Sequence, residues 1–345
     1  MKKQKIKITV FILFLFQILI FQNVYGEGKS TQAENESSEQ ESKFSPTPPQ
    51  VNGLLQVWAT KGMQNLSTST FNMRRMELKV SGDLVKGKLG YVAMIDPISK
   101  TVLVNETGGS NKIINVAQDL FFTYTFSKKA KVTFGQFLYP ITREGLAPTE
   151  YLHFAERSAV GSVVGDKRDI GVQLSGDISF VNYAIAVING NGQDFIDDNQ
   201  QKDFASRIVF KPISSLEFGG SIYFGTAKLN ESNVKKQRFA VELEFSQNNW
   251  GLIGEFARKV DGTFKAQGYY GTFYYKVKSN IEAAVRFEQW DTDIDLGNKT
   301  QNIFSFGAGY YLFNNHLKLL LNYTLINQNE MKATGEVIGG VQIAF

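Results

Sequence analysis

The densest run of chemistry-bearing side chains lies between Tyr139 and Lys167. Arg143, Glu144, Glu150, Glu156, Arg157, Asp166 and Lys167, with Arg168 next in line, alternate in sign among Leu146, Tyr151, Leu152 and Phe154. Opposed charges on a stretch that also carries apolar anchors have a use inside a water-filled pore. The apolar residues fix the stretch to a wall, and the charges set a transverse field and a size limit for whatever passes. On an open surface the same residues form only a solvated loop. Catalysis has less to work with. There are two histidines, His153 in this run and His316, which the strand pattern below places at opposite ends of the fold, and there is no cysteine. Disulfides and thiolate metal sites are therefore excluded, and no nucleophile stands in a recognisable motif. The carboxylates at Asp194, Asp197 and Asp198 and at Asp291, Asp293 and Asp295 lack the full twelve-position loop pattern with its glycine and closing glutamate, so they read as acidic surface loops. No catalytic, cofactor-binding or metal-binding residue is assigned.

The elements that must position the run come from period-two patterning. In Arg238–Ser246, Phe239, Val241, Leu243 and Phe245 share one face and Arg238, Ala240, Glu242, Glu244 and Ser246 the other. Ile281, Ala283, Val285 and Phe287 oppose Glu282, Ala284, Arg286 and Glu288 in the same way. This is the pattern of a sheet with two different faces. Sixteen such segments can be marked between Val51 and Phe345. Tight turns, as at Ser81–Leu84, Ser127–Lys129, Ser175–Asp177 and Gln247–Asn248, alternate with mostly longer connections, of which the run after Tyr139 is the longest. One rim of turns and one rim of loops predicts an all-β transmembrane antiparallel barrel of about 16 strands, with short periplasmic turns and long extracellular loops. A closed sheet is also what lipid demands, because it offers no partner to an open edge.

Targeting agrees with that architecture. Lys2, Lys3, Lys5 and Lys7 precede a run of 14 positions from Ile8 to Phe21, broken only by Thr9 and Gln17. That is a secretory signal over residues 1–26, too short for a helix that needs about 20 apolar residues to span the bilayer core. Its removal takes four lysines and no acids from 37 basic and 33 acidic residues, leaving 33 of each. The basic balance belongs to the signal, and no clustered basic stripe argues for nucleic acid. Residues 27–50, rich in Ser, Glu, Gln, Thr and Pro, read as a disordered polar periplasmic leader, and residues 51–345 as the barrel. The final strand, alternating Val337, Val341, Ile343 and Phe345 on one face, resembles the terminal signal read by the barrel assembly machinery.

Turning the apolar face of every strand to lipid sends Arg75, Lys79, Lys86, Lys88, Lys131, Arg207, Lys211, Arg238 and Arg286 to the lumen, with Glu77, Asp119, Glu217, Glu242, Glu244, Glu255, Glu282 and Glu288 beside them. Nine bases against eight acids make a polar channel, not an anion filter. Tyr91, Phe121, Phe122, Tyr124, Phe126, Trp250, Phe273, Tyr274, Tyr275, Tyr310 and Tyr311 are expected in aromatic girdles at the membrane interfaces.

Four stretches, Phe71–Gly82, Gly135–Ser158, Lys167–Gly176 and Tyr183–Gly190, together resemble the phosphate-selective porin O and P family. The likeness covers residues 51 to about 211 well and the rest as a strand pattern. It implies a sixteen-stranded homotrimeric porin of the outer membrane of a Gram-negative-type bacterium, whose third outer loop folds inward to narrow a channel for small hydrophilic solutes, with a preference for anions or phosphate. Here Leu138-Tyr-Pro140-Ile-Thr stands where the family has a basic residue and Pro-Phe-Gly, and the family's basic inner ladder has no residue-by-residue counterpart. A second reading stays open, a surface-exposed barrel whose outer loops bind ligands, adhesin-like, with little or no transport. A third, a barrel enzyme such as a lipase, needs a serine and a histidine near one interface.

Overall fold

A computed structural model describes residues 44–63, 69–98, 101–104, 110–113, 116–229, 232–297, 299–313, 316–328 and 332–345. The predicted signal and most of the predicted leader lie outside the described residues. In chain order the strands are β1 (Gln50–Met63), β2 (Ser69–Val85), β3 (Leu89–Ile95), β4 (Thr101–Val104), β5 (Ser110–Ile113), β6 (Ala117–Ser127), β7 (Ala130–Leu138), β8 (Arg168–Ile178) and β9 (Val181–Ile188). They continue with β10 (Asp203–Ile213), β11 (Leu216–Leu229), β12 (Ser232–Gln247), β13 (Trp250–Asp261), β14 (Phe264–Lys278), β15 (Ile281–Asp291), β16 (Thr300–Leu312), β17 (Leu317–Gln328) and β18 (Thr334–Ala344). Sixteen of them close into one barrel, each antiparallel to its neighbours in chain order, while β4 and β5 form a separate hairpin in the connection from β3 to β6.

The seam is β1 against β18, in register from Leu54↔Ala344 to Met63↔Gly335. Beyond that ladder the Gly53 amide donates to the Phe345 carbonyl at 2.8 Å and the Phe345 amide to the Gly53 carbonyl at 3.0 Å. The Phe345 ring lies over Gly53 so closely that a Cβ there would stand 2.3 Å from it. This end of the seam thus leaves no room for a side chain at position 53.

Alternation sorts the faces as the sequence predicts. Leu120, Phe122, Tyr124 and Phe126 are exposed outside, while the Thr123 and Thr133 hydroxyls bond across the inner face at 2.9 Å. The structure departs from the predicted pattern in several places. The first turn falls at Lys86–Lys88, not Ser81–Leu84, because Gly87 supplies the left-handed conformation (φ 70°) a tight turn needs; Lys86 and Lys88 are turn residues, not lumen residues. The β11–β12 ladder runs unbroken to Leu229↔Ser232, where a longer loop was expected. Backbone pairing continues there past the apolar belt, through polar residues that carry no alternation to read. At the end of the expected leader, the Ser45 and Thr47 amides donate to the carbonyls of Leu84 and Asp83 at 3.2 and 2.8 Å.

Candidate functional site: the inward loop and the channel beside it

The connection from β7 to β8 lies inside the barrel. It contains a helical turn, Arg143–Leu146, whose N-terminus is capped by the Thr142 hydroxyl accepting from the Gly145 amide at 3.2 Å, followed by a 3-10 turn at Thr149–Tyr151 and a π-helical turn at Val160–Val164. Its apolar residues do anchor it. Ile141, Val160 and Val164 join one buried cluster with Ala186, Ile188, Ala205, Tyr223, Ala240, Ala257, Ala266 and Trp290 from β9 to β15. Alanine at five of these wall positions leaves the width that the loop fills. Ala155 joins a second cluster with Trp58, Leu320 and Ile338. Anchored on both sides, the loop crosses the lumen.

Polar wall residues finish the attachment. The Glu255 carboxylate accepts the amides of Arg143 and Glu144, the latter at 3.0 Å. Glu288 accepts the Ala159 amide at 2.8 Å, and Asn322 the Ala155 amide at 2.7 Å. Lys318 donates to the Leu152 carbonyl at 2.5 Å and Gln342 to that of Glu150 at 3.2 Å. A buried loop carries backbone groups that need partners, and these five wall side chains take up six of them.

The charged residues of the loop divide into two sets. Arg143 donates to Glu244 at 2.5 Å. Glu144 is buried, accepts the Ser158 amide at 2.7 Å, and lies 3.4 Å from Arg286. Both fasten the loop to the β12 and β15 wall. Glu156 pairs with Arg74 at 2.5 and 2.8 Å. Glu150, Arg157 and Arg168 instead line a cavity of about 510 Å³ between the loop and the wall of β1, β2, β3 and β6. Arg75, Glu77, Lys79, Asp119 and Asp166 complete its charged lining. Arg168 bonds Asp119 at 2.8 Å and Arg157 approaches Asp166 at 3.4 Å. Lys167 is not among the lining residues; partial burial, with Lys259 and Arg238 nearby, lowers its ammonium below the ordinary range against the opposing pull of Asp166. Burial pushes the Tyr139 phenol well up, helped by Asp169, Asp203 and Asp261 and opposed by Arg238.

Arg75 and Lys79 line that cavity, and the other predicted lumen bases lie further round the wall. Arg75 donates to Gln56 at 2.9 Å, Arg207 to Glu242 at 2.9 Å, Arg238 pairs with Asp261 at 2.6 Å and Arg286 with Glu288 at 2.7 Å. Lys131 lines a small recess with Arg207, Asp177 and Tyr183. Three of the expected girdle aromatics turn inward, since their parity on the strand is that of the lumen face. Phe121 packs against the loop cluster, Tyr274 stacks on His153 at 4.1 Å, and Tyr311 donates to Glu282 at 3.0 Å. His153 does not stay at the loop rim either. The loop descends until its Nδ1 is 2.8 Å from Glu282, the second residue of β15 after a tight turn, so the two histidines are not at opposite ends.

Arg74 is the functional residue that patterning misses. Strict alternation from Arg75 sends Arg74 to lipid. A bulge shifts the register between Gln56 and Val57, so that Gln56 faces Arg75 and Val57 faces Met73, and Arg74 is the extra residue. Two consecutive arginines therefore point inward. The bare Arg-Arg pair among Met73 and Met76 was the available signal, because an arginine in hydrocarbon is costly.

A closed barrel with an apolar exterior, a charged interior and a loop folded into its lumen defines a passive diffusion channel of the outer membrane. The chain belongs to the phosphate-selective porin O and P family, whose model matches residues 59–250. None of the curated protein sequences matches it. Among solved structures the fold is similar to an anion-selective porin from Comamonas acidovorans (10% identity, 87% of this chain and 100% of that one, TM-score 0.64). It is also similar to the outer membrane channel DcaP of Acinetobacter baumannii (12%, 88% and 98%, TM-score 0.65) and to the trimer form of OmpT from Vibrio cholerae (12%, 87% and 100%, TM-score 0.60).

Proposed function

We propose that the loop between Tyr139 and Lys167 is the constriction of this channel, and that small hydrophilic solutes pass through the cavity beside it. Glu150, Arg157 and Arg168 face the passage in this reading. Arg143, Glu144 and Glu156 hold the loop in place, and Lys167 borders it. The observation that carries the reading is the attachment of the loop to both walls, by Trp58 and Arg74 on one side and by Glu255 and Glu288 on the other. Residues 1–26 export the chain, 27–50 lead into the barrel, and the strand ending at Phe345 is the segment the assembly machinery reads. The likeness to a trimeric OmpT supports a homotrimer. Purified protein entering a planar bilayer is expected to give stepwise conductance in units of three. A folded protein that never conducts would sink the reading in favour of a ligand-binding surface barrel, and hydrolytic activity lost with His153→Ala would favour an enzyme.

A further inference from the structure

We infer that the passage beside the loop favours dipolar solutes, those carrying an ammonium and a carboxylate together as amino acids and short peptides do, over simple anions. The inference rests on the diffusion-channel reading. The cavity of about 510 Å³ presents four basic and four acidic side chains, and most of them cancel locally. Arg168 is held by Asp119 at 2.8 Å, Arg157 by Asp166 at 3.4 Å, and Arg75 stands 3.8 Å from Glu77. An arginine bound to a carboxylate offers a passing anion little, because its donors and its charge are already engaged.

Two of the eight, Lys79 and Glu150, have no ion pair among the described residues. Lys79 belongs to β2 in the barrel wall and Glu150 to the loop, so the unengaged positive charge stands on one boundary of the passage and the unengaged negative charge on the other. If the cavity is roughly spherical it is about 10 Å across, close to the ~8–10 Å screening length at physiological salt. A solute inside therefore feels both charges. An anion drawn by Lys79 is repelled by Glu150, and a cation meets the reverse. A solute with both charges places its carboxylate toward Lys79 and its ammonium toward Glu150, and gains from each. The volume lies within the ~300–1,000 Å³ of small-molecule sites, enough for such a solute with part of its water.

The test compares three solutes of similar size, alanine, lactate and 1-amino-2-propanol, by swelling of liposomes containing the full-length protein, with inorganic phosphate as a fourth probe. Alanine is expected to enter faster than either singly charged solute, by about threefold, the factor one unit charge several ångströms away contributes at water-like dielectric. The reversal potential in a potassium chloride gradient is expected near zero. Lys79→Gln shifts it toward cations, Glu150→Gln toward anions, and each abolishes the advantage of alanine. A native channel that prefers lactate or phosphate overturns the inference while leaving the channel reading intact, as do variants that shift the potential in the same direction or leave it unmoved. Absence of any conductance overturns both.

Discussion

The guanidinium of Arg74 in β2 reaches across the lumen to the carboxylate of Glu156, 82 residues further along the chain, with Nε and Nη2 on its two oxygens at 2.5 and 2.8 Å. On the far side of the loop, Arg286 donates to the Glu156 carbonyl at 3.2 Å. Glu156 is thus gripped by side chain and backbone from two separate parts of the wall, β2 and β15, and the loop bridges them. Both partners of the Arg74 pair are 38% exposed, so water screens it and its direct stabilisation is about 0.2–1 kcal/mol. Its importance lies in geometry.

Removing that tie should change the passage without weakening the barrel. Arg74→Ala and Glu156→Gln are each expected to raise single-channel conductance and open-channel noise, with the temperature of unfolding in a heat-modifiability assay unmoved. The exchanged pair, Arg74→Glu with Glu156→Arg, is expected to restore quiet conductance. Noise that stays at the native level in both single variants contradicts a tethering role.

The barrel was legible because lipid and water impose period two, and segments such as Phe239–Phe245 obey it without exception. The inward loop was legible by its length and mixed composition. Its attachment was not, since Glu255, Glu288 and Asn322 meet loop amides more than 100 residues away and nothing local marks a carboxylate as an acceptor for a distant backbone. Arg74 was passed over because a single bulge reverses parity. The inward aromatics Phe121 and Tyr274 escaped for the opposite reason: composition grouped them with neighbours whose parity differs.

Glu255 should matter more than its surface-like chemistry suggests. It is 3% exposed, accepts two loop amides and the Tyr270 hydroxyl, the last at 2.8 Å. Glu255→Ala leaves those donors unpaired inside the protein, at about 1–3 kcal/mol for each group that water fails to reach. The expected outcome is a loop that a protease added to the solubilised protein cuts between Arg143 and Leu152, while the barrel fragments stay associated. Equal resistance of variant and native protein to cleavage refutes the assignment.

Arg286 is expected to be the least replaceable loop contact. It lies over the Phe154 ring at 4.5 Å, pairs with Glu288 at 2.7 Å and approaches Glu144 at 3.4 Å. Arg286→Leu strands two carboxylates that are themselves 2% and 8% exposed, and breaking buried pairs in this way typically costs about 3–5 kcal/mol. Folding yield should fall several-fold, and adding Glu144→Gln should recover part of it by removing one stranded charge. A double variant no better folded than the single would show that Glu144 does not depend on Arg286.

The seam makes the last prediction, because Gly53 and Phe345 are matched by shape. Two backbone bonds join them, and the ring occupies the volume any Cβ at position 53 would need. Gly53→Val therefore cannot keep both the bonds and the ring position, and it strikes the end pair of the β1–β18 seam, where an unclosed edge would face lipid. The folded fraction, read as heat-modifiable mobility after expression, is expected to fall sharply. Phe345→Leu lowers it on its own by shortening the terminal side chain. Combined with Gly53→Val, it should give more folded protein than Gly53→Val alone, since the smaller side chain yields the space the valine takes. If the double variant is worse than either single, the loss comes from two independent defects, and the fit of ring over glycine is not what closes the barrel.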